Sequence, residues 1–213
     1  MFGKHLQEIR NLMEIKRYQN IFKHKKRSVS EHSWFVSKIA HGLALWERDK
    51  FKEHKVDMEK LLFFAINHDV VECYTGDIIS TTKDFSETFR NELNNLEKFI
   101  FKNHIINTIP NSWGNMYIEM NKEMSELNNV ESKIVEAADI IDRIFECMEE
   151  IDLKNMNPYE AILVRDINKL YKMNLKSVNY FLKYSINDLD GAKEYIPDNI
   201  KAELENIDFS PYF

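Results

Sequence analysis

Apolar residues recur at intervals of three and four along almost the whole chain, the spacing of one face of an α-helix. Leu6, Ile9 and Met13 mark a first short helix. Ser28-Val29-Ser30-Glu31 has the form of a capping box, with Ser28 capping and Glu31 reaching back, and it opens a helix running to about Arg48. A third segment, from about Asp57 to Cys73, is apolar almost all round and is expected to be the central buried helix. Thr75-Gly76-Asp77 breaks it. Further helices are expected near Ser86–Asn107, Met116–Leu127, Val130–Leu153 and Pro158–Leu182, the last with proline at a favourable first-turn position. No repeat, linker or low-complexity tract interrupts the pattern. The expectation is one all-α domain over residues 1–213 with about seven helices. The last thirty or so residues are less regular and are expected to wrap the surface.

Composition sharpens this picture. The chain has 213 residues, 44% hydrophobic and 30% charged, enough to bury a sizeable core in a soluble globular protein. Only 5 Gly and 4 Pro punctuate it, which favours long helices over many short strands. A net charge of −6 speaks against a general nucleic-acid binder, since phosphate neutralisation needs a basic surface. The longest apolar run, Leu61 to Ile66, is far below a membrane span, and the opening MFGKHLQEIR has no signal-peptide core. Cys73 and Cys147 form neither a metal spacing nor a disulfide framework. The expected location is the cytoplasm, with no nucleic-acid or membrane partner.

The chemistry lies in four residues: His32, the adjacent pair His68-Asp69, and Asp139. Two imidazoles and two carboxylates suit a divalent transition ion if the fold brings them to one point. His32 lies in line with Val36, Ile39 and Leu43, so it points along an apolar stripe; a core histidine bonded to a carbonyl is the competing reading. For His68 that alternative weakens, because Asp69 follows it. A buried carboxylate beside a buried imidazole is costly unless a cation or strong partners compensate.

Glu72 follows His68 by four positions and Asp69 by three, on the same side of a helix. It reads either as the proton-transferring carboxylate of a hydrolytic site or as a helix-end acid in solvent. In Val130–Leu153 the apolar stripe runs through Val130, Ile134, Ala137, Ile141, Phe145 and Met148. Asp139 falls off it, near Val135, Asp142, Arg143 and Glu146, and periodicity alone makes it a solvated acid. The run Lys23-His24-Lys25-Lys26-Arg27 is either a solvated charge run or a positive rim drawing an anionic substrate. Arg17-Tyr18 joins a guanidinium able to hold a phosphate to a ring able to stack on a base or sugar. Trp34, Trp46 and Trp113 are expected to be packing residues.

These segments resemble the HD-domain metal-dependent phosphohydrolases, and more narrowly the YfbR-like 5'-deoxynucleotidases. The resemblance rests on Arg17-Tyr18, Val29-Ser30-Glu31-His32-Ser33, His68-Asp69-Val70-Val71-Glu72 with Thr75-Gly76-Asp77, and Ala138-Asp139, in family order over roughly residues 10–155. It implies a single HD domain with the C-terminal helices of residues 156–213 packed on that core. It further implies that His32, His68, Asp69 and Asp139 ligate a divalent ion such as cobalt or manganese. Glu72 would transfer the proton, Arg17 would hold the phosphate, Tyr18 would offer its ring, and Asp77 would contact the sugar hydroxyl and favour deoxyribose.

The implied reaction is hydrolysis of deoxynucleoside 5'-monophosphates to deoxynucleoside and phosphate, by a homodimer. A deoxynucleoside triphosphate triphosphohydrolase and a non-catalytic nucleotide-binding regulatory module are the alternatives. The chain departs from the family in two places. Tyr18 stands where the family has Trp, which reduces the stacking surface. After Asp77 it reads Ile78-Ile79-Ser80-Thr81-Thr82-Lys83, without the prolines expected around that loop.

Overall fold

The low Gly and Pro content and the helical spacing have their expected outcome: in the computed structural model, which describes residues 2–83 and 85–213, regular structure is helical and no strand is present among the described residues. Two compact units divide the chain, each assembled from two stretches of it.

The first unit comprises residues 1–34 and 66–126. It holds α1 (Phe2–Ile9), the opening turns of α2 (Val29–Leu45), the end of α3 (Met58–Asn67), α4 (Glu87–Ile100) and α5 (Asn111–Glu126). Its core gathers Leu12, Val29, Val70, Cys73, Phe101 and Ile105. His5 donates to or accepts from Thr108 at 3.0 Å beneath α1.

The capping box forms as the sequence reads. The Glu31 carboxylate accepts from the Ser28 backbone N–H at 2.6 Å and from the Ser28 hydroxyl at 2.7 Å, while the Glu31 N–H lies 3.3 Å from Ser28 Oγ. These bonds hold the Glu31 carboxyl below its ordinary range. Just before the cap, an isolated antiparallel bridge joins Lys16 to Ser28, with Arg17 N–H donating to Arg27 O at 2.9 Å and Val29 N–H to Ile15 O at 3.0 Å. The bridge ties both ends of the basic loop to the start of α2.

The second unit comprises residues 35–65 and 127–213. It is built around α6 (Val130–Asp152), against which α7 (Tyr159–Lys172) packs; α8 (Lys176–Lys183) and α9 (Asp198–Glu205) follow. Of the expected stripe, Ile134, Ala137, Ile141 and Met148 are buried and Val130 and Phe145 are half-buried, while Val135, Asp142, Glu146 and Glu150, off that stripe, are buried as well. A fully buried Glu47 accepts from the Ser177 N–H at 2.7 Å, giving that backbone donor in the first turn of α8 a partner.

Three expectations of local structure change. The segment from Asp57 to Cys73 is not one helix. It ends at Asn67 and continues through tight turns, with Val70 N–H bonded to Asn67 O and Glu72 N–H to Asp69 O, before a short helix at Glu72–Thr75. The segment from Pro158 to Leu182 divides at Asn174, whose φ of 53° is left-handed, so α7 ends and α8 starts afresh. Nine helices of eight or more residues result among the described residues, against the seven or so expected. The C-terminal stretch is irregular, as read, but buries Ile186, Ile196, Ile200, Leu204 and Phe209 instead of merely wrapping the surface.

Substituting Ser28 by Ala removes a cap oxygen and is expected to cost about 1 kcal/mol. That corresponds to a fall in Tm of roughly 2–4 °C, measured by thermal unfolding of wild type and variant. Because the Glu31 carboxyl is held low in the folded state, its contribution is present above its unfolded pKa and is lost as pH falls through the folded one. The gap between the two proteins should therefore narrow in acid.

Candidate metal centre

Helix α2 delivers His32 from its first turn. Four residues beyond Ser28, the side chain is 1% exposed and in line with Val36 and Leu43 of the expected stripe, both buried, and Ile39, which is half-buried. Trp34, expected to pack, is 64% exposed. Two positions beyond His32 it lies about 200° round the helix, on the outward face.

The turn after α3 delivers His68 and Asp69. His32 Nε2 and His68 Nε2 lie 3.2 Å apart, and Asp69 Oδ2 is 3.3 Å from the first and 3.2 Å from the second. Arg17 Nη1 donates to His32 Nδ1, since a guanidinium has no acceptor, and so fixes the ring with Nε2 toward His68 and Asp69. Burial disfavours the charged form of Asp69, but the charge of His68 and the hydrogen bonds from His32 and His68 outweigh it and hold the carboxyl well below its usual range.

The group fits a divalent ion. Metal bonds of about 2.0–2.2 Å to nitrogen and oxygen place adjacent donors about 3 Å apart, close to the three separations seen here. Two imidazole nitrogens with a carboxylate oxygen are also the mixed donor set that first-row ions take.

Glu72 is buried one tight turn beyond Asp69. The expected shared helix face is replaced by that turn. Burial, then the charges of Asp69 and Asp77, push its carboxyl up to about 10, with Lys83 and Arg17 acting in the opposite sense. Glu72 therefore holds its proton at neutral pH, and any positive charge brought to the Asp69 side opposes the second of these causes.

Asp77 lies past Gly76, which takes φ 72° at the break. Its Oδ2 accepts from the Tyr18 N–H at 2.6 Å, joining the residue expected to contact the sugar hydroxyl to the one expected to offer a ring. Burial raises the Asp77 carboxyl, while the Tyr18 bond and the Arg17 charge lower it.

Asp139 lies in the second unit, on α6. It is half-buried and accepts from Arg143 Nη1 at 2.6 Å; Arg143 Nε also donates to buried Asp166 at 2.9 Å. The solvated position that periodicity assigns to it is incorrect, because α6 is buried on its acidic side as well.

The geometry therefore unites Arg17, His32, His68 and Asp69, and separately pairs Tyr18 with Asp77. A family model for YfbR-like 5'-deoxynucleotidases matches residues 4–189. The chain belongs to that family. A 5'-deoxynucleotidase of Erwinia tasmaniensis is 27% identical to this YfbR-like chain over 159 residues, 75% of this chain and 78% of its own. Among solved structures, an HD-domain phosphohydrolase from Listeria innocua superposes with a TM-score of 0.79 at 28% identity, covering 95% of this chain and 97% of its own. A cyanophage S-2L HD phosphohydrolase, solved with dA and one catalytic Zn2+ ion, shares the fold at 12% identity, with a TM-score of 0.55 over 94% and 96% of the two chains. The YfbR-like protein is thus an all-α HD-domain hydrolase, and none of its described helices is long and apolar enough to cross a membrane.

Sequence reading missed two cations in this YfbR-like site. Lys83 pairs with Glu97 at 3.7 Å, and its charge bears on Glu72 and Asp77. Lys23, counted in a basic run read as solvated or as a rim, is buried with its ammonium over the Tyr18 ring. Its only signal was the distance of five residues from Tyr18 in a loop whose ends are bridged.

Divalent manganese at about 100 times its Kd is expected to stabilise the protein by about 2.7 kcal/mol. The corresponding rise in Tm is roughly 5–11 °C. His68→Ala should abolish that rise in differential scanning fluorimetry.

Proposed function

We propose that this protein removes the 5'-phosphate from deoxynucleoside 5'-monophosphates in a reaction dependent on a divalent metal, with His32, His68, Asp69 and Asp139 as ligands. The observation that carries the reading is the His32–His68–Asp69 group, with separations of 3.2–3.3 Å, beside a buried Glu72. Asp139 enters the set from the family pattern and from its donor type, a carboxylate oxygen complementing two imidazole nitrogens. When bound, the ion supplies Lewis acidity toward the phosphoryl group and makes the attacking water more acidic.

The other roles fall to side chains of the chain itself. Arg17 carries the guanidinium suited to bidentate contact with a phosphate and offsets charge in an in-line displacement. With a divalent cation offsetting the charge of Asp69, the Glu72 carboxyl would be ionised, take one proton from the attacking water and give it to the leaving 5'-oxygen. Tyr18 and Asp77, joined at 2.6 Å, form the sugar side. The deoxyribose hydroxyl meets the Asp77 carboxylate, and the Tyr18 ring limits the room beside it.

Family membership favours the monophosphatase over a triphosphohydrolase, and the intact Glu72 favours an enzyme over a regulatory module. We further read the protein as one catalytic HD domain acting in the cytoplasm as a homodimer. Exposed Phe89, Leu96 and Phe99 along α4 support self-association, because apolar side chains clustered on one helix face favour burial.

A panel of deoxynucleoside mono- and triphosphates, assayed with each divalent ion, tests the reaction. Free phosphate from the monophosphates is expected; tripolyphosphate from the triphosphates would overturn the proposal. Asp69→Ala should lose both bound metal, measured by elemental analysis, and turnover. Glu72→Ala should keep the metal and lose turnover by about 10²–10⁴-fold, and full activity in that variant would remove Glu72 from the mechanism.

A further inference from the structure

Tyr18 sits in an uncommon backbone conformation. Its φ of 56° is left-handed, a region that a residue with a Cβ seldom occupies. Several contacts hold it there. Its N–H donates to Asp77 Oδ2 at 2.6 Å, the Arg17 guanidinium carbon lies 5.4 Å from the ring centroid, and the Lys23 ammonium lies 4.8 Å from it. The Tyr18 carbonyl accepts from the Ile21 N–H at 3.1 Å, turning the chain so that Lys23 returns over the ring.

Lys23 is 3% exposed, while its neighbours His24, Lys25 and Lys26 are exposed. One member of the basic run has thus left solvent, and burying an ammonium is unfavourable unless its new surroundings compensate. An aromatic face offers part of that compensation. The bridge between Lys16 and Ser28 closes the loop and leaves Tyr18 and Lys23 little freedom to separate.

We propose that Lys23 is a positioning residue that sets sugar specificity: by gripping the Tyr18 ring it fixes the Tyr18–Asp77 pair against which the substrate's sugar is read. The inference rests on the assignment of Tyr18 and Asp77 as the sugar wall. Without the ammonium, the ring keeps the Arg17 contact but loses the Lys23 one, which loosens the left-handed backbone of Tyr18 and with it the donor that orients the Asp77 carboxylate. The Arg17–His32 bond and the His68–Asp69 pair do not involve Lys23, so the change falls on sugar discrimination and not on metal affinity.

The test compares steady-state kinetics on 2'-deoxyadenosine and adenosine 5'-monophosphates, with manganese added, for wild type, Lys23→Met and Lys23→Arg. In Lys23→Met the deoxy-to-ribo ratio of kcat/KM should fall about five- to tenfold, between the scales of an exposed and a desolvated cation–π contact. The loss should lie chiefly in KM for the deoxynucleotide, and Lys23→Arg should restore the ratio. Manganese affinity by titration calorimetry should match wild type.

An unchanged ratio in Lys23→Met, or an equal rise of KM on both substrates as for a simple phosphate anchor, would overturn the proposal. Lys23→Gln gives the same readout if Lys23→Met does not fold. Tyr18→Ala and Asp77→Asn separate the two levels of argument. If they lower the ratio and Lys23→Met does not, the wall stands and Lys23 is excluded. If neither lowers it, the wall reading falls, and this inference with it.

Discussion

The site depends on one carboxylate held between two imidazoles. Asp69 is partly removed from water, and an anion so placed persists only because His32 and His68 face it at 3.2–3.3 Å. Nearby features make sense as responses to that arrangement. Arg17 closes the far side of His32, so the ring has a defined orientation. Glu72, one turn along, is pushed up by burial and then by the charges of Asp69 and Asp77. Two carboxyls three residues apart are thus shifted in opposite directions, Glu72 upward by burial and then by the charges of Asp69 and Asp77, Asp69 downward because the imidazoles outweigh its burial.

How far this was legible from sequence differs residue by residue. His32 was accessible by two independent local signals, a capping box that fixes where α2 begins and an apolar stripe that fixes which way the ring points. The set His68, Asp69 and Glu72 was legible as a constellation, although the helix assumed to carry it ends at Asn67. The error did little harm, because a turn closed by bonds from residue i to i+3 also returns Glu72 toward Asp69.

Asp139 and Lys23 fail for a shared reason. Periodicity treats polar residues as exposed, yet α6 buries Asp142, Glu146 and Glu150, and the basic loop buries one of its lysines. Where burial of charge is compensated by a partner distant in sequence, such as Asp166 for Arg143, a local pattern carries no trace of it. The family pattern, which registers position and not hydropathy, is what distinguished Asp139.

The bridge between Lys16 and Ser28 has a consequence for how the loop can evolve. It acts as a clasp, fixing both ends of residues 17–27 while their tip, Phe22 and His24 to Lys26, stands in solvent. Lengthening a loop whose ends are already held adds little closure entropy, on the order of 0.6 kcal/mol per doubling. The tip is therefore the part of this protein that can accept new sequence, such as a tether or a recognition segment, without moving Arg17 or the start of α2. Drift at the tip and constancy at the clasp are compatible within one eleven-residue stretch.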